Sequence, residues 1–215
     1  MKCLTEFESR KVLEKYGFVL PKAFLAKDSA SAEKFAKKIG YPVVLKIMSP
    51  DIIHKSDIAC VKTGISNSSE AKFAYLAIKN NALRHNLAAK IDGIIVEETL
   101  NGVETIIGAK QDPQFGPIVL FGIGGVFVEI LKDAAIRFAP IERKDAKEMI
   151  SEIKGRKLLE GYRGGKPINF KAVEDAILAA SKLIYENPEI TEMDINPLFV
   201  NEKKAVVGDV RILIR

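Results

Sequence analysis

Apolar and polar positions along the 215 residues follow two rhythms, and the switches between them mark the elements. Thr5-Glu6-Phe7-Glu8 has capping-box spacing, so a helix opens there, and Gly17 ends it because glycine tolerates the left-handed conformation at a helix end. A strand is expected over residues 18–26. Asp28 or Ser29 caps a second helix in which Ala32, Phe35, Ala36 and Ile39 recur on one face, and Gly40 closes it. Pro42 introduces the apolar run Val43-Val44-Leu45-Lys46-Ile47, a strand of the kind buried on both faces. After an irregular stretch, residues 48–57, the pattern predicts a strand over 58–65, a helix over 69–84 and a strand over 91–98. This order suits a small sheet with helices on one side.

Leu100-Asn101-Gly102 is a turn signal. Beyond it the spacing predicts short strands over 103–110, 118–122, 127–131 and 136–141, then helices over 144–153 and 171–186. Two last strands, 192–200 and 205–214, flank the polar turn Asn201-Glu202-Lys203-Lys204. No internal repeat interrupts the series. The chain therefore reads as α+β throughout, in two subdomains, 1–98 and 99–215.

Composition narrows the class of protein. At 47% hydrophobic residues the chain can bury a core. No run approaches the roughly 20 apolar residues that a membrane helix needs, and Met1-Lys2-Cys3-Leu4 opens no signal-peptide stretch, so no membrane contact and a cytoplasmic location are expected. Cys3 and Cys60 have neither the pairing nor the histidine spacing of a zinc site. Thirty-three basic residues against 28 acidic give a net charge of +5. The lysines are interspersed with acids, with no aromatic platform or helix-turn-helix pattern, so no nucleic acid is expected as a partner.

Several polar positions stand out against this background. Lys46 interrupts an otherwise apolar strand, and a buried lysine needs an anion; the plain alternative is a stem that packs while the ammonium reaches water. Ser49-Pro50-Asp51-Ile52-Ile53-His54-Lys55-Ser56-Asp57 places one of two histidines in a polar loop, where a neutral imidazole can be a nucleophile toward phosphorus or simply a surface side chain. His85, near a helix end, fits the second description. Glu97-Glu98-Thr99-Leu100 leads through a turn to Glu104, and connectors of this kind can read a base edge while a carboxylate accepts from ribose hydroxyls. Gly122-Ile123-Gly124-Gly125 lacks the flanks of a phosphate loop and reads as a tight turn. Asp194 and Asn196 lie on one face of a strand, with Asp209 on the strand expected to pair with it, an oxygen set suited to Mg²⁺.

The motifs Gly40-Tyr41-Pro42-Val43-Val44-Leu45-Lys46, the His54 loop, Lys110-Gln111-Asp112-Pro113-Gln114-Phe115-Gly116-Pro117 and Asp194-Ile195-Asn196-Pro197-Leu198 occur in this order. In them the chain resembles the nucleotide-binding β subunits of ADP-forming acyl-CoA synthetases, in the ATP-grasp superfamily. The resemblance implies an ATP-grasp fold whose two subdomains clasp ATP or ADP, with Lys46 on the phosphates, residues 97–100 holding adenine and Glu104 the ribose. It implies Mg²⁺ on Asn196 and Asp209, and His54, oriented by Asp194, relaying a phosphoryl group to ADP from a CoA-binding α subunit, in an α2β2 assembly. A self-sufficient carboxylate ligase and a non-catalytic nucleotide-binding subunit are the alternative readings. One departure is plain: Ala59-Cys60 stands where the family usually has paired glycines.

Overall fold

The computed structural model describes residues 1–52, 55, 57–125, 133–161 and 165–215. In chain order these residues form β1 (Lys2–Cys3), α1 (Glu6–Lys15), β2 (Ala23–Ala26), α2 (Ser29–Ile39), β3 (Val43–Met48), β4 (Val61–Ile65), α3 (Ser68–His85) and β5 (Gly93–Glu98). There follow β6 (Val103–Asp112), β7 (Gly116–Ile123), β8 (Ala134–Phe138), α4 (Arg143–Glu152), α5 (Arg156–Leu159), α6 (Phe170–Glu186), β9 (Ile190–Val200), β10 (Ala205–Val207) and β11 (Val210–Ile214). The strand expected over 127–131 lies outside the described residues. No helix among the described residues is long and apolar enough to cross a membrane.

The chain divides into two compact units, one of residues 21–99 and one of residues 1–20 together with 100–215. In the smaller unit an antiparallel sheet has the order β2-β5-β3-β4. All six residues of β3 are buried, as its unbroken apolar run predicts. Leu45 and Ile47 on one face join Ile94 and Val96 of β5, and the alanines of α2 and α3, Ala32, Ala36, Ala74 and Ala82, let both helices lie close to that face. The helices start where side chains cap them: the Ser31 amide donates to Asp28 Oδ1 at 2.7 Å and the Glu70 amide to Asn67 Oδ1 at 3.0 Å.

The larger unit is built on an antiparallel sheet ordered β1-β11-β9-β6-β7-β8, with β10 added to β9. Leu13 of α1, Met149 of α4 and Ile177 and Leu183 of α6 share a core with Met193, Ile195 and Ile212 from the sheet. The division differs from the expected 1–98 and 99–215 at Thr99 and in the first twenty residues. β1 pairs with β11 through Lys2↔Ile214 and Cys3↔Leu213, Leu13 and Phe18 enter the larger core, and the Val207 amide donates to Val19 O at 3.0 Å. The apolar stripe of α1 thus finds its sheet in strands nearly two hundred residues away, which proximity in sequence does not reveal. The capping box that starts α1 is present: Glu8 N–H donates to Thr5 Oγ1 at 3.3 Å, and Thr5 N–H to Glu8 Oε2 at 2.8 Å.

Several strands are shorter than their patterns suggest, the expected 18–26 strand beginning only at Ala23 and the 91–98 strand at Gly93, and two of them have a visible cause. The expected 58–65 strand begins only at Val61, because Ala59 adopts φ +53° and breaks the extended path. The expected 205–214 strand is divided at Gly208-Asp209, where a side chain on Gly208 would strike the Phe199 ring and the Pro197 carbonyl.

Candidate functional site

Lys46 sits in the middle of β3 and is 9% exposed. The anion it requires comes from the chain itself, since its ammonium forms an ion pair with the Glu97 carboxylate of β5. Register explains the contact. Lys46 lies opposite Ile95 and Val44 opposite Glu97, so Lys46 and Glu97 are diagonal neighbours on the sheet face that does not carry Leu45 and Val96. Glu97 is 3% exposed, so the pair is held out of water. Beyond it, the Glu98 amide donates to Lys22 O at 3.1 Å and Thr99 Oγ1 to Pro42 O at 2.9 Å, which fixes the end of β5 beside the start of β3. Leu100, half-buried, is where the chain returns to the larger unit.

The loop after β3 is anchored at both ends. Asp51 Oδ2 accepts from the Lys90 amide at 2.7 Å and Ile52 is buried in the smaller core. At the other end the Cys60 amide donates to Lys55 O at 2.8 Å, and Asn81 Nδ2 donates to Ala59 O at 3.1 Å. Cys60 is fully buried, its Sγ 3.6 Å from Ile78 O, and burial pushes its thiol up from the ordinary value. It is packed as a small hydrophobe, not poised as a nucleophile. Ala59 is the conformationally demanding one of the two positions, since φ +53° is where glycine is favoured. His54, expected as the phosphoryl carrier, lies outside the described residues.

In the larger unit Asp194, Asn196 and Asp209 come together on one sheet face. Asp194 and Asn196 alternate with the buried Met193 and Ile195 along β9. β11 pairs Val210 with Ile195 and Arg211 with Asp194, and the Asn196 amide donates to Asp209 O at 3.2 Å, so Asp209 stands across from Asn196. Asp194, Asn196, Asp209 and Arg211 therefore share the face opposite the core with Glu192. Arg211 leans to Glu192, with Nη2 2.6 Å from Oε1. Burial raises the Asp194 carboxyl above its ordinary value of 3.8; the Arg211 guanidinium opposes this, while Glu192 and Asp209 add to it. On β6 the residue opposite Asp194 is Gly108, which brings no side chain to this face.

Glu104 is exposed near the start of β6 and, by alternation, shares its side with Gly108, whereas Thr105, Ile107 and Ala109 are buried. Sequence reasoning missed what surrounds it. The Gly124 amide donates to Glu104 O at 2.7 Å, and a Cβ on Gly124 would lie 3.0 Å from the Glu104 carbonyl carbon. Gly124 is there for close backbone approach to Glu104 and Gly122 for close approach to the Asp133 carbonyl, roles that a search for phosphate-loop flanks does not detect.

Among the described residues no group of three or more His, Cys, Asp or Glu side chains forms a metal cage. Asn196 and Asp209 still offer an amide and a carboxylate oxygen on one face, which fits Mg²⁺, an ion usually held by one or two protein oxygens, waters and phosphate. A cavity of about 750 Å³ in the larger unit, lined by Leu4, Val12, Tyr16, Asn187, Ile190 and Ile214, contains none of the candidate residues.

An ATP-grasp domain model matches residues 1–214. The acetate–CoA ligase [ADP-forming] I subunit beta of Pyrococcus furiosus is 47% identical over 212 residues, covering 98% of this chain and 91% of that protein. The chain belongs to the ATP-grasp family, among the β subunits of ADP-forming acetate–CoA ligases. This ATP-grasp chain is also 48% identical to the 4-hydroxybutyrate–CoA ligase [ADP-forming] of Nitrosopumilus maritimus, of which it spans only 30%. Its fold matches the dinucleotide forming acetyl-coenzyme A synthetase 1 of Ca. Korarchaeum cryptofilum in complex with coenzyme A and Ca-AMPCP, with a TM-score of 0.96, 45% identity, all of this chain and 94% of that one. The same synthetase with Mg-AMPPCP and its phosphohistidine segment pointing towards the nucleotide binding site gives a TM-score of 0.87 at 41% identity, over 100% of this chain and 93% of that one.

Proposed function

We propose that this chain is the nucleotide-binding subunit of an ADP-forming acyl-CoA synthetase that converts acyl-CoA, ADP and phosphate reversibly to acid, ATP and CoA. The observation that carries this reading is the end-to-end correspondence with a β subunit, 91% of whose length the chain spans. A CoA-binding α subunit completes the enzyme in an α2β2 assembly, in the cytoplasm where nucleotide and CoA are found.

Lys46 contacts the nucleotide phosphates, residues 97–100 border the adenine and Glu104 accepts from the ribose hydroxyls. Asn196 and Asp209 hold Mg²⁺, which when bound neutralises part of the phosphate charge. His54 accepts the phosphoryl group on a ring nitrogen from the partner and passes it to ADP. In that second step the P–N bond breaks, the electron pair stays on the imidazole, and a new P–O bond forms to a terminal β-phosphate oxygen of ADP. Asp194 accepts from the other ring nitrogen and fixes the ring while its neighbour reacts. Lys46, charged at the phosphates, stabilises the charge spread over the transferring group.

The test is incubation of the chain and its α subunit with γ-labelled ATP and Mg²⁺. An acid-labile label on this chain, absent from His54→Ala, is expected; a label that persists in His54→Ala, or none on the wild-type chain, overturns the relay.

A further inference from the structure

The motif from Lys110 to Pro117 has no place among the candidate nucleotide contacts. It makes the hairpin turn between β6 and β7. Asp112 Oδ1 accepts from the Gln114 amide at 2.9 Å and the Phe115 amide at 3.1 Å, contacts that hold its carboxyl below the ordinary 3.8. The turn so fixed sets Phe115 against Phe138 of β8, with ring centroids 5.8 Å apart, yet the two residues stay 64% and 62% exposed.

The alternation of β8 is inverted. Ala135 joins the core and Arg137 turns to Glu152 of α4, so the charge lies on the side that faces the helices. Ile136, 53% exposed, and Phe138 occupy the other side. A strand with one face in water ordinarily turns its polar residues outward. The register adds Ile118 of β7 opposite Phe138 and Leu120 opposite Ile136, both half-buried, on the same open side. Phe115, Ile136 and Phe138 alone offer about 350 Å² of apolar surface, at roughly 200 Å² for a whole side chain. A patch of that size is as large as a typical monomer carries, and such patches are often binding surfaces. It is less than the roughly 800 Å² that each side of a stable complex buries, so it is the apolar centre of a wider contact. Its place on the sheet matters too. A Cβ on Gly108 would meet Leu120 at 3.7 Å, and Gly108 lies opposite Asp194, so the apolar part of this face adjoins the part that bears Asp194 and Asn196. Lys110, exposed and opposite Ile118, stands at its border.

We propose that the patch of Phe115, Ile136 and Phe138 is where the α subunit docks, through an apolar surface edged by a carboxylate against Lys110. This rests on the reading of the chain as one subunit of a synthetase. A group passes between subunits only where their sites lie close, and a partner seated beside the Asp194 face is brought to that distance. Under the same reading the CoA site belongs to the α subunit, so a second copy of this chain gains nothing there. The contact between the Phe115 and Phe138 rings is made before docking, so two large side chains are already ordered when the partner arrives.

The experiment titrates the chain with its α subunit, by calorimetry or sedimentation, and follows ATP formation from acyl-CoA, ADP and phosphate as the α subunit is raised. Phe115→Ser/Phe138→Ser, with native circular dichroism, is expected to bind the α subunit at least about thirtyfold more weakly, the loss that follows removal of a hot-spot residue. ATP formation in this variant is expected to need correspondingly more α subunit for half its maximal rate and to reach the wild-type rate at saturation. ADP binding to the chain alone is expected to stay within about twofold. Phe73→Ser removes a comparably exposed ring from α3 and is expected to leave α-subunit binding unchanged. If the double variant does not fold, Ile136→Lys decides, with the same loss expected from a charge set in the middle of the patch. Binding within about threefold of wild type, or an equal loss from Phe73→Ser, overturns the docking surface. So does a wild-type chain that self-associates through these rings while α-subunit binding survives their loss, since the patch then joins copies. A wild-type chain that binds no α subunit overturns the synthetase reading itself, so the two failures are distinguishable.

Discussion

The Lys46–Glu97 pair and the face that carries Asp194 handle charge in opposite ways. In the smaller unit Lys46 and Glu97 are buried together between strands, with side-chain exposures of 11% and 3%, and in the larger unit Arg10 and Glu6 are buried likewise within α1, at 8% and 3%. In the larger one Asp194, Asn196, Asp209 and Arg211 lie side by side on a sheet face, and the Arg211–Glu192 pair beside them is 41% and 39% exposed. Charge withdrawn from water must be matched by the fold, so its geometry exists before any ligand does. Charge on a half-exposed face is matched in part by water and in part by neighbouring side chains, and can be handed to a hydrated cation with little rearrangement. One region is set by the protein and the other is completed by what binds to it.

The comparison breaks most easily at the buried pair. Lys46→Met strands Glu97 without its ammonium and is expected to lower stability by about 3–5 kcal/mol in denaturant titration, with Lys46→Met/Glu97→Leu recovering most of it. A loss below about 1 kcal/mol would show that the pair is no more buried in effect than a surface one. Next in size is Asp209→Asn, expected to remove about 2 kcal/mol of Mg²⁺-dependent nucleotide affinity while the unfolding midpoint stays put. That result separates a surface organised by its ligand from one organised by the fold.

Ala59→Gly relieves a left-handed conformation that glycine adopts freely and is expected to stabilise the chain by about 1 kcal/mol. Phosphoryl transfer measured in the same variant asks whether the family's usual glycine matters for more than stability.

Asp194 provides a pH test of its sheet face. Folding raises its carboxyl above the ordinary 3.8, so its contribution to stability is fully present below about pH 3.8 and is lost as pH rises through the folded value. In metal-free buffer at pH 7, Asp194→Asn is therefore expected to raise the unfolding midpoint, and the difference from wild type should shrink on acidification. The smallest effect is reserved for Arg211→Ala, which removes a half-exposed pair and should change stability by no more than about 1 kcal/mol. A larger loss there would erase the contrast between the two sites.

Much of this arrangement is legible in the sequence, and the parts that are not share a cause. The capping box at Thr5, the cap at Asp28 or Ser29, the unbroken run from Val43 to Ile47 and the alternation around Asp194 are local signals, and the structure reproduces the elements they imply. The need of Lys46 for an anion is legible too, but not its identity. Glu97 lies fifty-one residues on, and only the β3–β5 register places it diagonally across. Likewise the replacement of two glycines by Ala59-Cys60 is visible in the letters, while only the backbone shows that Ala59 bears the conformational demand and Cys60 merely fills space. The assignment of residues 1–20 to the larger unit and the wrapping of Gly124 around Glu104 are likewise long-range facts. Local pattern carries what one turn or one strand decides, and pairing between distant strands carries the rest.

The pairing of β1 with β11 has a further consequence for how such a domain can be wired. Lys2 and Ile214 are neighbours across one hydrogen-bonded ladder, so polypeptide can enter and leave this sheet at a single place. A module with adjoining ports can be spliced into a longer polypeptide, or re-threaded with new ends opened in a distant turn, without pulling its strands apart. A version that joins residues 2 and 214 by a short glycine-serine bridge and opens at Asn201-Glu202-Lys203-Lys204 would keep every ladder of the sheet except the turn that it cuts.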